Sequence, residues 1–483
     1  MIKKIFLFLA FFALCSVCKA GGYDIKVRVV GWKDTVFYLG NHYGDKQYVR
    51  DTAKVNHEGW AEFKGKEPLD GGIYLVIMPT KTYFEILITE NDQKFTVETD
   101  NADFINNFQV KGSAENKLFN EHQRFIIGKT KESQALKVRL DSAKTIKDSV
   151  VMKDSTKAIQ EKMSKLDKDV KEYRMNLMKN SPKTFTAKIL KTMKDPEVPE
   201  APKDAKGNIT DSTFQYRYYK QHYFDDVDFN DARLLRTPIL QNKIKVYTEQ
   251  LTVPVPDSII ESVDYIIEKS KVNKEVFKYC VATLANHYET SPIMGYDKIF
   301  VHIAERYYLT DQAYWADSTL KANIEKRVTK IKPNILMTPA HDLFLPDTAF
   351  AMHRLYDVKA KYIVLVFWDP TCSHCKKEIP KLAHYYDSVK AAKLDIEIFA
   401  IGIESELDLW KNYIKDNNLK WINVSDLYNN THFRDFYDIY STPVIYLLDD
   451  KKRIIAKRLD TEKIADFIEH DQKTTKPDPI NPK

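Results

Sequence analysis

From residue 23 to 113 apolar and polar residues alternate along the chain. Ile25, Val27 and Val29 alternate with Lys26 and Arg28, and Phe84, Ile86, Ile88 and then Phe95, Val97 repeat the pattern. A period of two marks a half-buried strand. Turn residues recur at Asn41, Gly44, Gly59, Gly71-Gly72 and Asn91-Asp92, and short strands at such spacing predict a small antiparallel β-sandwich-like domain. No catalytic constellation stands out in it.

From 115 to 330 the period lengthens to that of a helix. Ile159, Met163, Leu166, Val170, Tyr173 and Leu177 step by 4, 3, 4, 3, 4 and stop before Pro182. This heptad seam predicts either a helical hairpin packed on its own domain or a dimerisation coiled coil. Residues 193–211, with Pro196, Pro199, Pro202 and Gly207, read as a loop. The aromatic stripe Phe214, Tyr216, Tyr218, Tyr219, Tyr223, Phe224, Phe229 reads as core. Asp225, Asp226, Asp228 and Asp231 read as caps and solvated acids, because a calcium loop starting at Asp226 needs Gly at 231 and Glu at 237, where Asp231 and Thr237 stand.

At about Ile331 strands and helices begin to alternate, the βαβ pattern of an α/β domain. Tyr362 to Trp368 is a near-continuous apolar run, which predicts a strand buried on both faces. The helix after it carries Ile379, Leu382, Tyr386 and Val389. A strand at 396–403, a helix near 405–417, a strand at 421–424 and a helix through Phe436 follow. A hairpin then joins 444–448 to 453–457, and a last helix spans 461–470. The expected organisation is multidomain: a β-sandwich-like domain over 23–113, a helical domain over 115–330, an α/β domain over 331–470, and a disordered tail over 471–483 with Pro477, Pro479 and Pro482.

With 43% apolar and 29% charged residues the chain builds real cores. Its net charge is +6, and three lysines of the first twenty residues supply half of that. The remaining charge is too mild for a nucleic-acid binder. The only apolar run near membrane length is at the N-terminus, which excludes a polytopic membrane protein. Residues 1–20 read as a signal peptide: Lys3 and Lys4, an apolar run Ile5 to Leu14, then Cys18-Lys19-Ala20 before cleavage. The rival is a lipoprotein signal acylated at Cys15 or Cys18, although Leu14 and Val17 before them are larger than such a site prefers. The expected location is the periplasm or cell envelope.

Signal removal leaves three of five cysteines: Cys280, Cys372 and Cys375. One close pair and one distant thiol make no structural disulfide framework, and Cys280 lies in an apolar helical pattern as a buried thiol. The pair carries the chemistry. Asp369-Pro370-Thr371-Cys372-Ser373-His374-Cys375 falls where a buried strand ends and a helix begins. Unpaired N–H groups and the helix dipole there favour a thiolate at Cys372. Cys375, one turn inside, is placed to attack a mixed disulfide from within. His374 adds a potential cation beside the thiolate. A zinc site would need a second Cys or His pair, and neither is present: His384 and His432 are poorly spaced. No metal and no cofactor are expected. A peroxidatic cysteine of the peroxiredoxin kind needs Thr three residues earlier, where Asp369 stands.

Trp368, Cys372-Ser373-His374-Cys375, Pro380, and Thr442-Pro443 before a strand together resemble a thioredoxin fold, and more specifically the exported TlpA/ResA-like thiol–disulfide oxidoreductases. The resemblance covers about 331–470. It implies that Pro380 kinks the active-site helix, that Glu378 assists proton transfer to the buried thiol, and that Thr442-Pro443 is a cis-proline loop facing the cysteines and pairing with the substrate chain. Trp368, His374, Thr442 and Pro443 are then the substrate-facing residues, and Cys372, Cys375 and Glu378 the catalytic ones. The sequence departs from thioredoxin in three places. Val366 stands where thioredoxin buries an Asp, Thr371 where Trp is common, and Ser-His fills the Cys pair. The two upstream regions resemble uncharacterised modules that precede such domains in envelope proteins of anaerobic gut-type bacteria.

The expected function is reduction of disulfides in envelope proteins, with a membrane thiol-donor protein restoring the dithiol. An oxidase of the same fold and a scaffold protein with a vestigial redox domain are the alternatives. The long upstream part is expected to choose or dock clients.

Overall fold

The computed structural model describes residues 21–403, 406–426 and 431–475. The expected signal peptide at 1–20 and the tail beyond 475 lie outside them. By contacts the chain forms two compact units, Met1–Thr252 with Glu268–Phe277, and Val253–Ile267 with Lys278–Lys483. The helices between the β region and the α/β region are therefore shared between two units. No helix among the described residues is long and apolar enough to cross a membrane.

The first unit opens with β1 (Asp24–Val30), β2 (Thr35–Tyr43), β3 (Lys46–Val55), β4 (Trp60–Lys64), β5 (Gly72–Ile77), β6 (Tyr83–Ile88), β7 (Lys94–Asp100) and β8 (Gln109–Lys111). They form two four-stranded sheets, ordered β4-β1-β7-β8 and β3-β2-β5-β6. The alternating residues meet between them: Ile25, Val27, Val29, Phe84, Ile86, Phe95 and Val97 share one core with Phe37 and Phe63. One expectation is corrected. The sandwich is mixed, because β1 pairs with β7 in parallel. The chain leaves for the second sheet and returns to β1 in the same direction, which a hairpin cannot do.

Two long helices follow, α1 (Ala114–Ala143) and α2 (Ser149–Asn180). The heptad residues of α2 face α1 of the same chain: Tyr173 stacks on Phe125 at 3.8 Å between ring centroids, and Leu166 and Leu177 are buried. This is the hairpin arrangement. Next come α3 (Phe185–Met193), α4 (Phe214–His222), α5 (Pro238–Glu249), α6 (Pro256–Ser270), α7 (Lys274–Glu289), α8 (Asp297–Ile303) and α9 (Ser318–Ile331). The aromatic stripe divides. Tyr223, Phe224 and Phe229 are core, but α4 buries none of its residues: its tyrosines stay partly open and use their hydroxyls, Tyr216 donating to the Leu251 carbonyl at 2.8 Å and Tyr219 to Asp195 at 3.1 Å. Of the acids, Asp228 pairs with Lys188, Asp231 with Arg233 and Asp225 with His222.

The α/β region holds β9 (Phe344–Pro346), β10 (Met352–Arg354), β11 (Tyr362–Trp368), α10 (Cys375–Ala391), β12 (Ile396–Gly402), α11 (Leu407–Asp416), β13 (Ile422–Ser425), α12 (Phe433–Phe436), β14 (Val444–Asp449), β15 (Ile454–Lys457) and α13 (Lys463–Thr475). The sheet runs β13-β12-β11-β14-β15, with β11 parallel to β12 and antiparallel to β14. Every residue of β11 is buried. Val364, Val366 and Trp368 face one core with Ile379 and Leu382 of α10. Ile363, Leu365 and Phe367 face the other, with Phe433 and Tyr437. Period two divides one apolar run between two layers, and each such side chain is worth about 1.5–3 kcal/mol. Gly402, the last residue of β12, lets Trp410 close over the sheet, since a Cβ there would stand 2.6 Å from the Trp410 Nε1. Helix α13 runs past the expected end at His470 to Thr475, where Asp471 accepts a 2.7 Å hydrogen bond from Tyr362.

Candidate functional site

At the end of β11 the chain turns through Asp369-Pro370-Thr371. The Asp369 carboxylate accepts from the Thr371 N–H and hydroxyl, both at 2.7 Å. The Cys372 N–H reaches the Asp369 carbonyl at 3.2 Å, and the Cys372 carbonyl accepts the first helical bond, from the Lys376 N–H, at 3.1 Å. Cys372 thus stands at the mouth of the helix, three residues before Cys375, the first residue of α10. Pro380 lies inside α10, where it removes one backbone donor.

The two sulfurs have opposite surroundings. Cys372 is half-buried and Cys375 is fully buried, and both are free thiols. Burial alone would raise the Cys372 pKa. The Thr442 side chain, the backbone N–H groups of Cys375 and His374, and the Cys375 thiol outweigh it and hold Cys372 below the ordinary thiol range. Burial pushes Cys375 up to about 11, against two donors, the Asp369 N–H at 3.4 Å from its Sγ and the Thr442 side chain. A nucleophile at the surface and a protonated thiol behind it follow from these positions alone.

Across the cleft Thr442-Pro443 is a cis peptide. In the thiol form Cys372 Sγ donates to the Thr442 carbonyl at 3.3 Å. The structure therefore brings Cys372, Cys375, Thr442 and Pro443 together, although 70 residues separate Cys372 from Thr442.

Three expected site residues stand differently. Trp368 has no exposed surface and its ring packs 5.2 Å from that of Tyr413. As a substrate contact it is corrected: it is the last core residue of an all-buried strand. The His374 side chain is exposed, and what reaches Cys372 from this residue is its N–H. Glu378, one turn after Cys375, is partly buried, which opposes ionisation, but Lys381 at 3.0 Å and the neighbouring Thr461 hold its carboxyl below the usual range. No hydrogen bond joins Glu378 to either sulfur among the described residues.

Two participants were not foreseen. Burial raises the pKa of Tyr413 of α11, and its side chain packs on the core cluster that holds Cys375. Its spacing from Trp410 reads as an ordinary apolar helix face. The backbone N–H of Asp369 is the other, and no side-chain pattern reveals it. Among the described residues no three His, Cys, Asp or Glu side chains converge as metal ligands.

Three family models match the chain: a domain of unknown function, DUF4369, over 23–119, another, DUF5106, over 151–334, and a thioredoxin-like model over 360–454. Thiol-disulfide oxidoreductase ResA of Bacillus subtilis is 28% identical over 116 residues, 24% of this chain. The chain spans 63% of that relative's length, less than two thirds. A ResA of Bacillus cereus is 25% identical over 146 residues, 30% of this chain and 75% of that protein. Among solved structures, a domain of a possible thiol-disulfide isomerase from Cytophaga hutchinsonii is 40% identical, covers 30% of this chain and 97% of its own, and has a TM-score of 0.28.

Proposed function

We propose, from the premise that residues 360–454 are a thioredoxin-like domain related to the ResA thiol–disulfide oxidoreductases, that this chain is an exported enzyme reducing disulfides of envelope proteins. The observation that carries the reading is the contrast between the two sulfurs. One is half-buried with a lowered pKa beside the Thr442 carbonyl, and the other is buried and held protonated.

The Cys372 thiolate attacks one sulfur of a client disulfide. The client S–S bond breaks, its second sulfur leaves as thiolate and takes a proton, and a Cys372–client disulfide remains. Cys375 then gives up its proton and attacks the Cys372 sulfur. The first client sulfur leaves and is protonated, and Cys372–Cys375 becomes the disulfide. Two electrons have passed to the client, and no cofactor enters the exchange. Glu378, one helical turn from Cys375, receives the Cys375 proton. Thr442 and Pro443 offer their backbone to the client chain, as an edge strand would. A membrane thiol-donor protein restores the dithiol. The periplasm or cell envelope is the location that the N-terminal twenty residues support.

The test is a trapping experiment. Cys375→Ser is expected to accumulate mixed disulfides with envelope proteins through Cys372, and Cys372→Ser to abolish disulfide reduction. If the unaltered chain reduces no disulfide and Cys375→Ser traps nothing, the redox domain is vestigial and the scaffold reading replaces this one. Equilibration with glutathione sets the direction, and a potential near the roughly −120 mV of strong periplasmic oxidants makes the chain an oxidase.

A further inference from the structure

The segment entering the proline loop is gripped from outside the thioredoxin-like fold. Within the second compact unit, α9 and the turn that continues it to Asn334 present Arg327, Lys330 and Asn334. Steps of three and four place them on one side of the helix. Arg327 Nη1 donates to Asp438 Oδ1 and to the Tyr440 hydroxyl, both at 3.0 Å. Lys330 Nζ donates to the Arg434 carbonyl and Asn334 Nδ2 to the Phe436 carbonyl, both at 2.8 Å. Every second residue from 434 to 440 is therefore tied to the same helix, and two of the ties are to backbone carbonyls. Unpaired carbonyls in buried chain are costly, so these contacts define where the segment runs.

Asp438 is the centre of the grip. Its side chain is 8% exposed, and its second carboxylate oxygen takes the Arg458 guanidinium. A buried carboxylate keeps its place only while its charge partners hold. Arg327 is itself oriented by Glu289, which accepts from its Nε at 3.3 Å. Four residues beyond Asp438 comes Thr442, whose carbonyl meets the Cys372 sulfur. The path is continuous: Arg327, Asp438, the loop, Thr442, Cys372.

We propose that α9, within the region matching DUF5106, is a strut that sets the proline loop against the reactive cysteine, with Arg327 as its positioning residue. The proposal deepens the thiol–disulfide reading and rests on it. Arg327 touches neither sulfur and acts through Asp438 and the loop. It gives the upstream helical region a part in the exchange chemistry that an independent redox domain would not need.

The experiment uses the full chain, reduced, in four variants: Arg327→Ala, Arg327→Lys, Lys330→Met and, on the exposed side of α9, Lys326→Ala. The first readout is the rate of attack on the aromatic disulfide dithiobis-nitrobenzoate. The second is the pH dependence of iodoacetamide alkylation, with peptide mapping of the sulfur that reacts. Arg327→Ala is expected to slow attack about tenfold, since small misplacements of reacting groups carry penalties of that order or more. The alkylation midpoint of Cys372 is expected to move upward while Cys375 stays unreactive. Arg327→Lys recovers part of both, Lys330→Met moves both less in the same direction, and Lys326→Ala moves neither. Arg327→Ala with rate and midpoint unchanged overturns the proposal. If Arg327→Ala unfolds, seen as joint labelling of Cys280, Cys372 and Cys375, Lys330→Met decides, and an unchanged midpoint there overturns it. An unaltered chain that attacks no disulfide refutes the parent reading, while the alkylation midpoints still judge the strut.

Discussion

The Cys372 sulfur lies 3.3 Å from the carbonyl oxygen of Thr442, and that residue is joined to Pro443 by a cis peptide. One residue thus offers two groups to the nucleophile. The carbonyl accepts from the thiol, and the Thr442 side chain lowers the Cys372 pKa. Reactivity at the pair is set from two ends of the domain, by the mouth of α10 and by the loop before β14.

Thr442→Ala removes the side-chain donor and keeps the carbonyl. The Cys372 alkylation midpoint is expected to rise, and its rate at pH 7 to fall. Cys375, at about 11, sits four units above that pH, so only about one part in ten thousand is thiolate. Among the described cysteines of the folded, reduced chain, iodoacetamide at pH 7 is expected to label Cys372 alone. Rapid double labelling of the folded chain would contradict the burial of Cys375.

Glu378→Gln separates the two halves of the exchange. The first attack, by Cys372, is expected to keep its rate. Resolution by Cys375 should slow about 100-fold, the usual scale for losing a positioned proton acceptor, and mixed disulfide should build up in rapid-quench samples. Unchanged resolution would leave Glu378 with a structural part only, its 3.0 Å ion pair to Lys381.

Much of this site was readable in the chain because its signals are local. The apolar run of β11, the cysteine pair at its exit and the helix periodicity after it need only neighbouring residues. The heptad seam of α2 likewise named the face that packs on α1. What escaped depends on distant contacts. Trp368 looks like a cleft residue beside the cysteines, yet the sheet buries it under Tyr413. The parallel pairing of β1 with β7 joins strands 70 residues apart, and no alternation encodes direction. The ties from Arg327 to Asp438 span 111 residues, between a surface-like arginine and an ordinary acid.

Trp368→Phe tests the corrected role. A core residue that loses part of its ring leaves a partial cavity, expected to cost about 1–3 kcal/mol in denaturant unfolding. The KM for a disulfide peptide is expected to stay where it was. A raised KM at unchanged stability would return Trp368 to the binding surface.

His122 gives the first compact unit a pH dependence. Its side chain is 9% exposed, its Nδ1 is buried without a partner among the described residues, and its ring packs 5.9 Å from that of Tyr173. Burial first, then the Arg174 charge, pushes it from 6.5 down to about 4. Between those values the unfolded chain binds the proton and the folded chain does not, so stability rises with pH. The His122 contribution is complete above about pH 6.5 and is lost as pH falls to about 4. Integrated over that window it amounts to about 3 kcal/mol. Hydrogen exchange across α1 and α2, measured at several pH values in that window, should show protection falling on acidification. His122→Phe keeps the stack on Tyr173 and removes the proton site, so its protection should fall less steeply. If both proteins lose protection at the same slope, other acids drive the change and His122 does not.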